Sequence, residues 1–474
     1  TLSDTEVTKR VQAVIDEVKN RPEFVGLSVA VARGDRILVD RGAGIADLEW
    51  NAPADANTIF RIGSVTKQFT AAAIMKLAEQ GKLGLDDPLA KYVPDIETAG
   101  HTVTIRQLLN QTSGIPNYTA QPGFAKAMQF DVSEQEVLKL VAGVRFDFDP
   151  GTSWRYSNTN YFLLGMIVEK VSGRRYVDFM EDEFFTPLGL TRTRYGDMRD
   201  IIPRRAQGYD YDPATRSVLN SVPISMNWPG GAGGLVSTAG DLIRWQIALT
   251  GGRAVSPASF AQMIGSTADT GDGVNRYGFG LMVNEANGQR KIWHNGGING
   301  FNSILMWLPD EGLAVAVISN VIGLSSDVIG GRIVGELTSE KPLPPLRATP
   351  QPGGEAFLRA LIAQEASGTI DFSTLTEPMA ALVRAHPAQP MFRSWGEIGK
   401  VTFLEVGLNG LDSYRVDFST GAAMIFNIFR APDGKLAAMT FVPAAPPKAP
   451  SAAIRPKRRL YSLGLTPALR RNSW

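Results

Sequence analysis

Arg61-Ile-Gly-Ser-Val-Thr-Lys67, running on into Phe69-Thr-Ala-Ala-Ala-Ile-Met-Lys-Leu-Ala78, places a hydroxyl and an amine three residues apart at the start of an apolar helical run. Positions three apart share a helix face, with Cβ atoms about 5–6 Å apart, so a lysine in its neutral form could take the proton of Ser64. A helix N-terminus also supplies unpaired N–H groups and positive potential where an oxyanion would form. A Ser-x-x-Lys string arises by chance on the order of once or twice in a chain of this size. A serine at a helix start is also an ordinary N-cap. The meaning of Ser64 and Lys67 therefore rests on their company.

Two other strings provide it. Tyr156-Ser157-Asn158 follows a Pro150-Gly151 turn and precedes the apolar helical stretch Thr159–Gly173. His294-Asn295-Gly296-Gly297 is expected to close a strand and open a glycine turn. Each is cheap alone; their order and settings carry the information.

The chain of 474 residues is too long for one compact core and suggests two or three domains. A formal net charge of +1 offers no global field for nucleic acid or an anionic membrane. No stretch approaches 18 consecutive apolar residues, so no membrane span is expected. With no cysteine, disulfides, thiolate metal sites and a cysteine nucleophile are excluded together. The start at Thr1, without a charged-then-apolar leader, leaves two readings, removal of a targeting segment by processing or by the choice of expressed boundaries, and a periplasmic or secreted protein is expected.

Along the chain, a surface helix is expected over Thr5–Asn20, then strands Val25–Ala32 and Arg36–Val39 around a Gly34-Asp35 turn. Helices follow at Thr104–Asn110, Glu134–Ala142, Asn158–Ser172 and Asp241–Leu249. Strands return at Tyr277–Val283, Lys291–His294, Asn302–Leu308 and Leu313–Ser319, with a covering helix over Val328–Leu337. Strands at both ends with helices between imply an α/β (α+β) architecture, one antiparallel sheet flanked by helices plus an all-helical lobe. Residues 1–340 form this first unit. Residues 341–354 are a proline- and glycine-rich linker. Residues 355–442 read as a small α+β domain of two helices and four strands. Residues 443–474 are a basic Pro/Ala-rich tail, either a solvated extension or a contact for an anionic partner.

On these motifs the chain resembles the class C β-lactamase and penicillin-binding-protein-like serine hydrolases, a superfamily that includes D-aminopeptidases, DD-peptidases and β-lactamase-like carboxylesterases and proteases. The likeness spans about Thr5 to Ser339. It also includes Leu108-Leu-Asn-Gln-Thr-Ser-Gly114 and Gly233-Gly-Leu-Val-Ser-Thr-Ala239. It implies a serine β-lactamase-like fold and hydrolysis of amide, peptide or carboxylester bonds, with weak β-lactam hydrolysis. The competing expectation is a penicillin-recognising fold that binds or scaffolds while turning over little.

The resemblance makes Ser64 the acylated nucleophile and Lys67 the partner that takes its proton. A free lysine is neutral about once in 2,500 at pH 7, and bringing its pKa near 7 costs roughly 4–5 kcal/mol. Tyr156 is implied as a second acid/base group, through either a lowered phenol pKa or a relay through Lys67. Asn158 would bind the substrate amide or hold Lys67. Gly297 would donate an N–H to the oxyanion hole opposite that of Ser64, and Gly296 would leave room for the substrate backbone. His294 stands where the family usually has a lysine. A histidine near pKa 6.5 predicts weak recognition of carboxylates and a titration near neutrality.

Other features read blandly. His101 and His386 lack partners at ligand spacing, so no metal is expected, and nothing calls for a cofactor. Gly230-Gly-Ala-Gly-Gly234 reads as a flexible turn, and no Gly-x-Ser-x-Gly elbow is present. The expected partner is a small-molecule or peptide substrate.

Overall fold

A computed structural model describes residues 2–212, 215–286, 289–339, 346–385 and 387–444. The basic tail beyond residue 444, the start of the linker and His386 lie outside the described residues.

Helix α1 (Asp4–Lys19) is capped by the Ser3 hydroxyl, which accepts from Glu6 N–H at 3.2 Å. Its buried residues Val7, Val11, Val14, Ile15 and Val18 recur at helical spacing and form one apolar stripe. Strands β1 (Gly26–Arg33), β2 (Arg36–Asp47) and β3 (Ala52–Pro53) follow. The chain then makes a 3₁₀ turn at Gly63–Val65 and enters α2 (Thr66–Glu79), the helix behind Ser64. In α2 every residue from Thr66 to Met75 is buried, as befits a helix packed on all sides.

The helical lobe contains α3 (Asn158–Ser172) and ends near α4 (Ala239–Thr250). The remaining strands are β4 (Ala268–Asp269), β5 (Asn275–Tyr277), β6 (Met282–Ala286), β7 (Gln289–Ile298), β8 (Phe301–Leu308) and β9 (Leu313–Ser319), covered by α5 (Ser326–Thr338). They complete a nine-stranded sheet of order β3-β2-β1-β9-β8-β7-β6-β5-β4. β1 pairs antiparallel with β9, Val29 opposite Val317, so both ends of this unit meet at the centre of the sheet.

β9 is buried throughout, and its alternation sorts the two cores. Val315 and Val317 face the cluster that holds α1 and α5. Ala314, Ala316 and Ile318 face the larger cluster of α2, α3 and α4, small side chains there letting the helices approach closely.

The second unit has α6 (Gly354–Ser367), α7 (Glu377–Ala385) and α8 (Gln389–Ser394) against an antiparallel sheet, β10 (Ile398–Val406), β11 (Asp412–Phe418), β12 (Ala423–Arg430) and β13 (Leu436–Pro443). It buries its own core around Phe392, Tyr414 and Phe426. It is tied to the first unit by Arg21, which donates to Val406 O at 2.5 Å and pairs with Glu405 at 3.2 Å. Leu408 joins the apolar cluster of α1 and α5.

Three local expectations change. Ser64 lies in the 3₁₀ turn ahead of α2 and makes no capping bond, so its hydroxyl is free for other work. The expected strand Tyr277–Val283 is two strands, broken around Gly280, whose φ of +69° and approach to the Lys67 carbonyl favour glycine. β7 does not end at His294 but runs to Ile298; the turn comes later, at Gly300 with φ +78°. α8 was not expected at all.

Candidate active site

The Gly63–Val65 turn is locked in place from several sides. Ser303 on β8 donates its hydroxyl to Ile62 O at 2.8 Å, and Leu235 N–H donates to Thr66 Oγ1 at 3.2 Å. Gly63 has φ +48°, and a Cβ there would stand 2.9 Å from Gly297 N. A Cβ on Gly296 would lie 2.1 Å from Ile62 O and 3.0 Å from Ser64 N. Gly296 is therefore a packing glycine: it lets β7 press against the backbone of the nucleophile turn. Gly297 has nothing within 4 Å of its missing Cβ and faces open space.

Lys67 is fully buried, and its Nζ has three polar neighbours: Ser64 Oγ at 3.0 Å, Asn158 Oδ1 at 2.8 Å and Ala232 O at 2.7 Å. Burial pushes its pKa well down. Its Nζ also stands 4.8 Å from the centre of the Tyr156 ring. The two carbonyl oxygens can only accept and take two of its N–H bonds; as an ammonium Nζ donates to Ser64 Oγ as well, and once neutral it has its lone pair left for the serine proton.

Tyr156 shares a hydrogen bond with Ser64, yet burial dominates and pushes its phenol well above the usual range. Of the two routes open at the level of sequence, a pre-formed tyrosinate is thus disfavoured and a neutral relay is favoured. The Tyr-Ser-Asn turn is held by Gln111, whose Oε1 accepts from Ser157 N–H at 3.0 Å and Asn160 Nδ2 at 2.6 Å. Asn158 is fixed further by Thr119 Oγ1 at 3.3 Å.

His294 departs from expectation. It is 2% exposed, and its Nδ1–H donates to Asn295 O at 2.6 Å, leaving Nε2 to accept from the Tyr277 hydroxyl at 2.9 Å. Burial above all pushes its pKa down to about 3. The expected titration near neutrality is therefore overturned: the imidazole is a buried neutral group, neither a cation nor a switch at physiological pH.

A cavity of about 210 Å³ opens beside Ser64, walled by Tyr118, Thr119, Asn158, Ala232, Gly233 and Gly297. Ser64, Lys67, Tyr156, Asn158, Gly296, Gly297 and His294 are thus gathered within one neighbourhood; Ser64, Asn158 and Gly297 line the cavity, and Lys67, Tyr156, Gly296 and His294 stand behind its wall. Sequence reasoning missed Ala232 O, Tyr277 and the Tyr118-Thr119 wall. The Gly230–Gly234 stretch, expected to be a flexible turn, is a packed wall: a Cβ on Gly231 would lie 2.8 Å from Tyr161 O. Its density of glycines beside a motif was the available signal.

Among the described residues, no helix is long and apolar enough to cross a membrane, and no group of three or more His, Cys, Asp or Glu could hold a metal ion.

The sequence profile of the family described as Beta-lactamase matches residues 11–334. Penicillin-binding protein 4* of Bacillus subtilis (strain 168) is 31% identical over 330 residues, covering 66% of this chain and 71% of that protein. Protein flp of Staphylococcus aureus (strain COL) is 26% identical over 320 residues, and the match spans only 63% of its length. Among solved structures, a D-stereospecific amidohydrolase from Streptomyces sp. superposes with TM-score 0.60 at 26% identity, covering 72% of this chain and 100% of that one. The D-amino acid amidase of Ochrobactrum anthropi SV3 gives 0.59 at 28%, covering 66% and 91%. An octameric penicillin-binding protein homologue from Pyrococcus abyssi shares the fold over 92% of this chain and 90% of its own, with TM-score 0.64 at 23% identity.

Proposed function

The chain belongs to the Beta-lactamase family, and from that premise we propose that it hydrolyses amide or ester bonds through an acyl-enzyme on Ser64. The observation that carries this reading is the environment of Lys67, whose Nζ lies 3.0 Å from Ser64 Oγ with two carbonyl acceptors beside it, in a buried site that pushes its pKa well down. Neutral Lys67 takes the serine proton as Oγ attacks the substrate carbonyl. The N–H groups of Ser64 and Gly297 receive the developing oxyanion, each donor contributing on the order of 10²–10³ in rate. Tyr156, protonated throughout the resting state, passes a proton from Lys67 to the leaving nitrogen or oxygen. Water then releases the acyl group by the reverse relay.

His294 bears on the choice of substrate. With a neutral, buried imidazole in place of a cation, substrates carrying a free carboxylate gain no ionic grip there, which ranks β-lactams and C-terminal carboxylates low. Likeness to a D-stereospecific amidohydrolase and a D-amino acid amidase favours small amides, D-configured ones first, over esters. A panel of D- and L-amino-acid amides, p-nitrophenyl esters, short peptides and nitrocefin tests the ranking. Amide turnover is expected to be lost by at least 10³-fold in Ser64→Ala, and a fluorophosphonate should add one label at Ser64 by peptide mass. Retained turnover in Ser64→Ala would sink the mechanism. The periplasmic or secreted location belongs to the same proposal, and fractionation of the native cells checks it.

A second reading, a binding or scaffolding protein with little turnover, draws on the added C-terminal unit, which acyl transfer does not require. Stoichiometric labelling of Ser64 without turnover of any substrate in the panel would favour it.

A further inference from the structure

A second cavity, about 730 Å³ and more than three times the size of the one at Ser64, lies on the far side of the Pro229–Gly233 segment. That segment is the shared wall. Gly230 and Gly231 face the large cavity, whereas Pro229, Ala232 and Gly233 face the cavity of Ser64. The wall is thin because α3 comes against it backbone to backbone: a Cβ on Gly165 would stand 3.2 Å from Gly231 Cα.

The large cavity is of a size that takes a small organic molecule. Phe162, Met166 and Phe185 give it apolar surface. Its charged lining is one-sided, with Glu134, Glu169, Asp178, Glu181, Asp197 and Asp200 against Arg175 and Arg194. Arg175 and Asp178 satisfy each other through two hydrogen bonds of 2.7 Å, which leaves Glu134, Glu169, Glu181, Asp197 and Asp200 against Arg194. Burial first, and then repulsion by the facing Glu169 carboxylate, push Glu134 above the usual carboxylate range. A cation entering there relieves that repulsion and covers the apolar floor with its body.

The wall also connects to Lys67. Thr70, one turn beyond Lys67 on α2, donates to Gly231 O at 2.6 Å and meets the hydroxyl of Tyr176 at 2.7 Å, and Tyr176 lines the large cavity. The next carbonyl along, Ala232 O, accepts from Lys67 Nζ at 2.7 Å. Displacement of Tyr176 or Gly231 by an occupant therefore acts on the group that orients the lysine.

We propose that this cavity is a binding site for a small amine, an ammonium group on an apolar body, and that its occupancy alters turnover at Ser64 through the Gly230–Ala232 wall. The binding half stands on the cavity alone; the coupling half rests on the role assigned above to Lys67.

The test uses the full chain, with 2-phenylethylamine as probe and 2-phenylethanol and 3-phenylpropionate as its neutral and anionic analogues, by titration calorimetry. The amine is expected to bind at least tenfold more tightly than either analogue. Glu134→Gln combined with Asp200→Asn, two side chains outside the catalytic neighbourhood, should weaken it at least tenfold without moving the melting temperature. Binding should persist in Ser64→Ala and after fluorophosphonate labelling, which separates this site from the reaction cavity and this proposal from the fate of the mechanism. On the active protein, saturating amine should change kcat at least twofold, and the acidic double variant should abolish the change. Equal affinity for amine and alcohol, no effect of the double substitution, or displacement by the covalent label would overturn the binding site. Tight binding with unaltered kcat would overturn the coupling.

Discussion

His294 occupies a position where a permanent cation would make the site a carboxylate grip, and its two ring nitrogens are spent instead on Asn295 O and the Tyr277 hydroxyl. Because its pKa is pushed down to about 3 while an unfolded histidine titrates near 6.5, the unfolded chain takes up a proton that the fold refuses. Stability contributed by this group is whole above pH 6.5 and declines as the pH falls towards 3, by up to about 1.4 kcal/mol per unit. Chemical denaturation at stepped pH should show this slope, and His294→Gln should flatten it. The same neutrality means that kcat/KM between pH 5 and 9 carries no step from His294; a step that disappears in His294→Gln would contradict the buried neutral ring. Reading histidine at that position from sequence takes away a permanent cation. The direction of its pKa was beyond reach because Tyr277 and the burying shell are tertiary neighbours, unlike the local Ser64–Lys67 pair.

At the scale of the element, β7 and the Gly63–Val65 turn are fitted to each other through two neighbouring glycines with opposite needs. Gly296→Ala drives a methyl into Ile62 O and towards Ser64 N. It is expected to lower activity by at least 10²-fold and to destabilise by on the order of 1–3 kcal/mol, as overpacking does. Gly297→Ala meets nothing, keeps the backbone N–H, and should leave the melting temperature within about 1 °C while affecting mainly KM, since that residue lines the cavity. Thermal melts and steady-state kinetics on the pair separate the two roles. If both variants behaved alike, the packing account of Gly296 would fail. Periodic elements were legible in the sequence: Asn158–Ser172 and Leu313–Ser319 are found with the bounds their apolar spacing indicates. The glycines misled because a glycine in a sequence signals a turn, a bulge or a close approach with the same letter. Only the partner, here the backbone at Ile62, tells them apart. Ala232 O was invisible for a related reason. It is a main-chain atom, 165 residues from the lysine it serves.

For the molecule as a whole, the C-terminal unit leans on the first one through Arg21 and Leu408, yet none of its described residues lines the cavity at Ser64. Ending the chain after Ser339 is therefore expected to lower the melting temperature while leaving kcat on small substrates within about threefold. Leu408→Ala in the full chain should cost on the order of 2 kcal/mol by the same loss of packing. Loss of all activity in a truncated protein that retains its fold by circular dichroism would show that the unit supports the site. The four strands of the C-terminal sheet were legible because regular turns mark them. How Arg21 and Leu408 join the two units was not, since single contacts between units leave no periodic trace.

The pairing of β1 with β9 has a consequence in time. Ser64 and Lys67 leave the ribosome early, but Gly296 and Gly297 come more than two hundred residues later, and β9, which closes the sheet around them, later still. The nascent chain therefore carries its serine long before it carries the strand that makes the serine reactive, and such distant pairings form slowly. Covalent labelling of Ser64 consequently works as a clock of maturation: a chain that reacts is one whose β1 and β9 have already found each other.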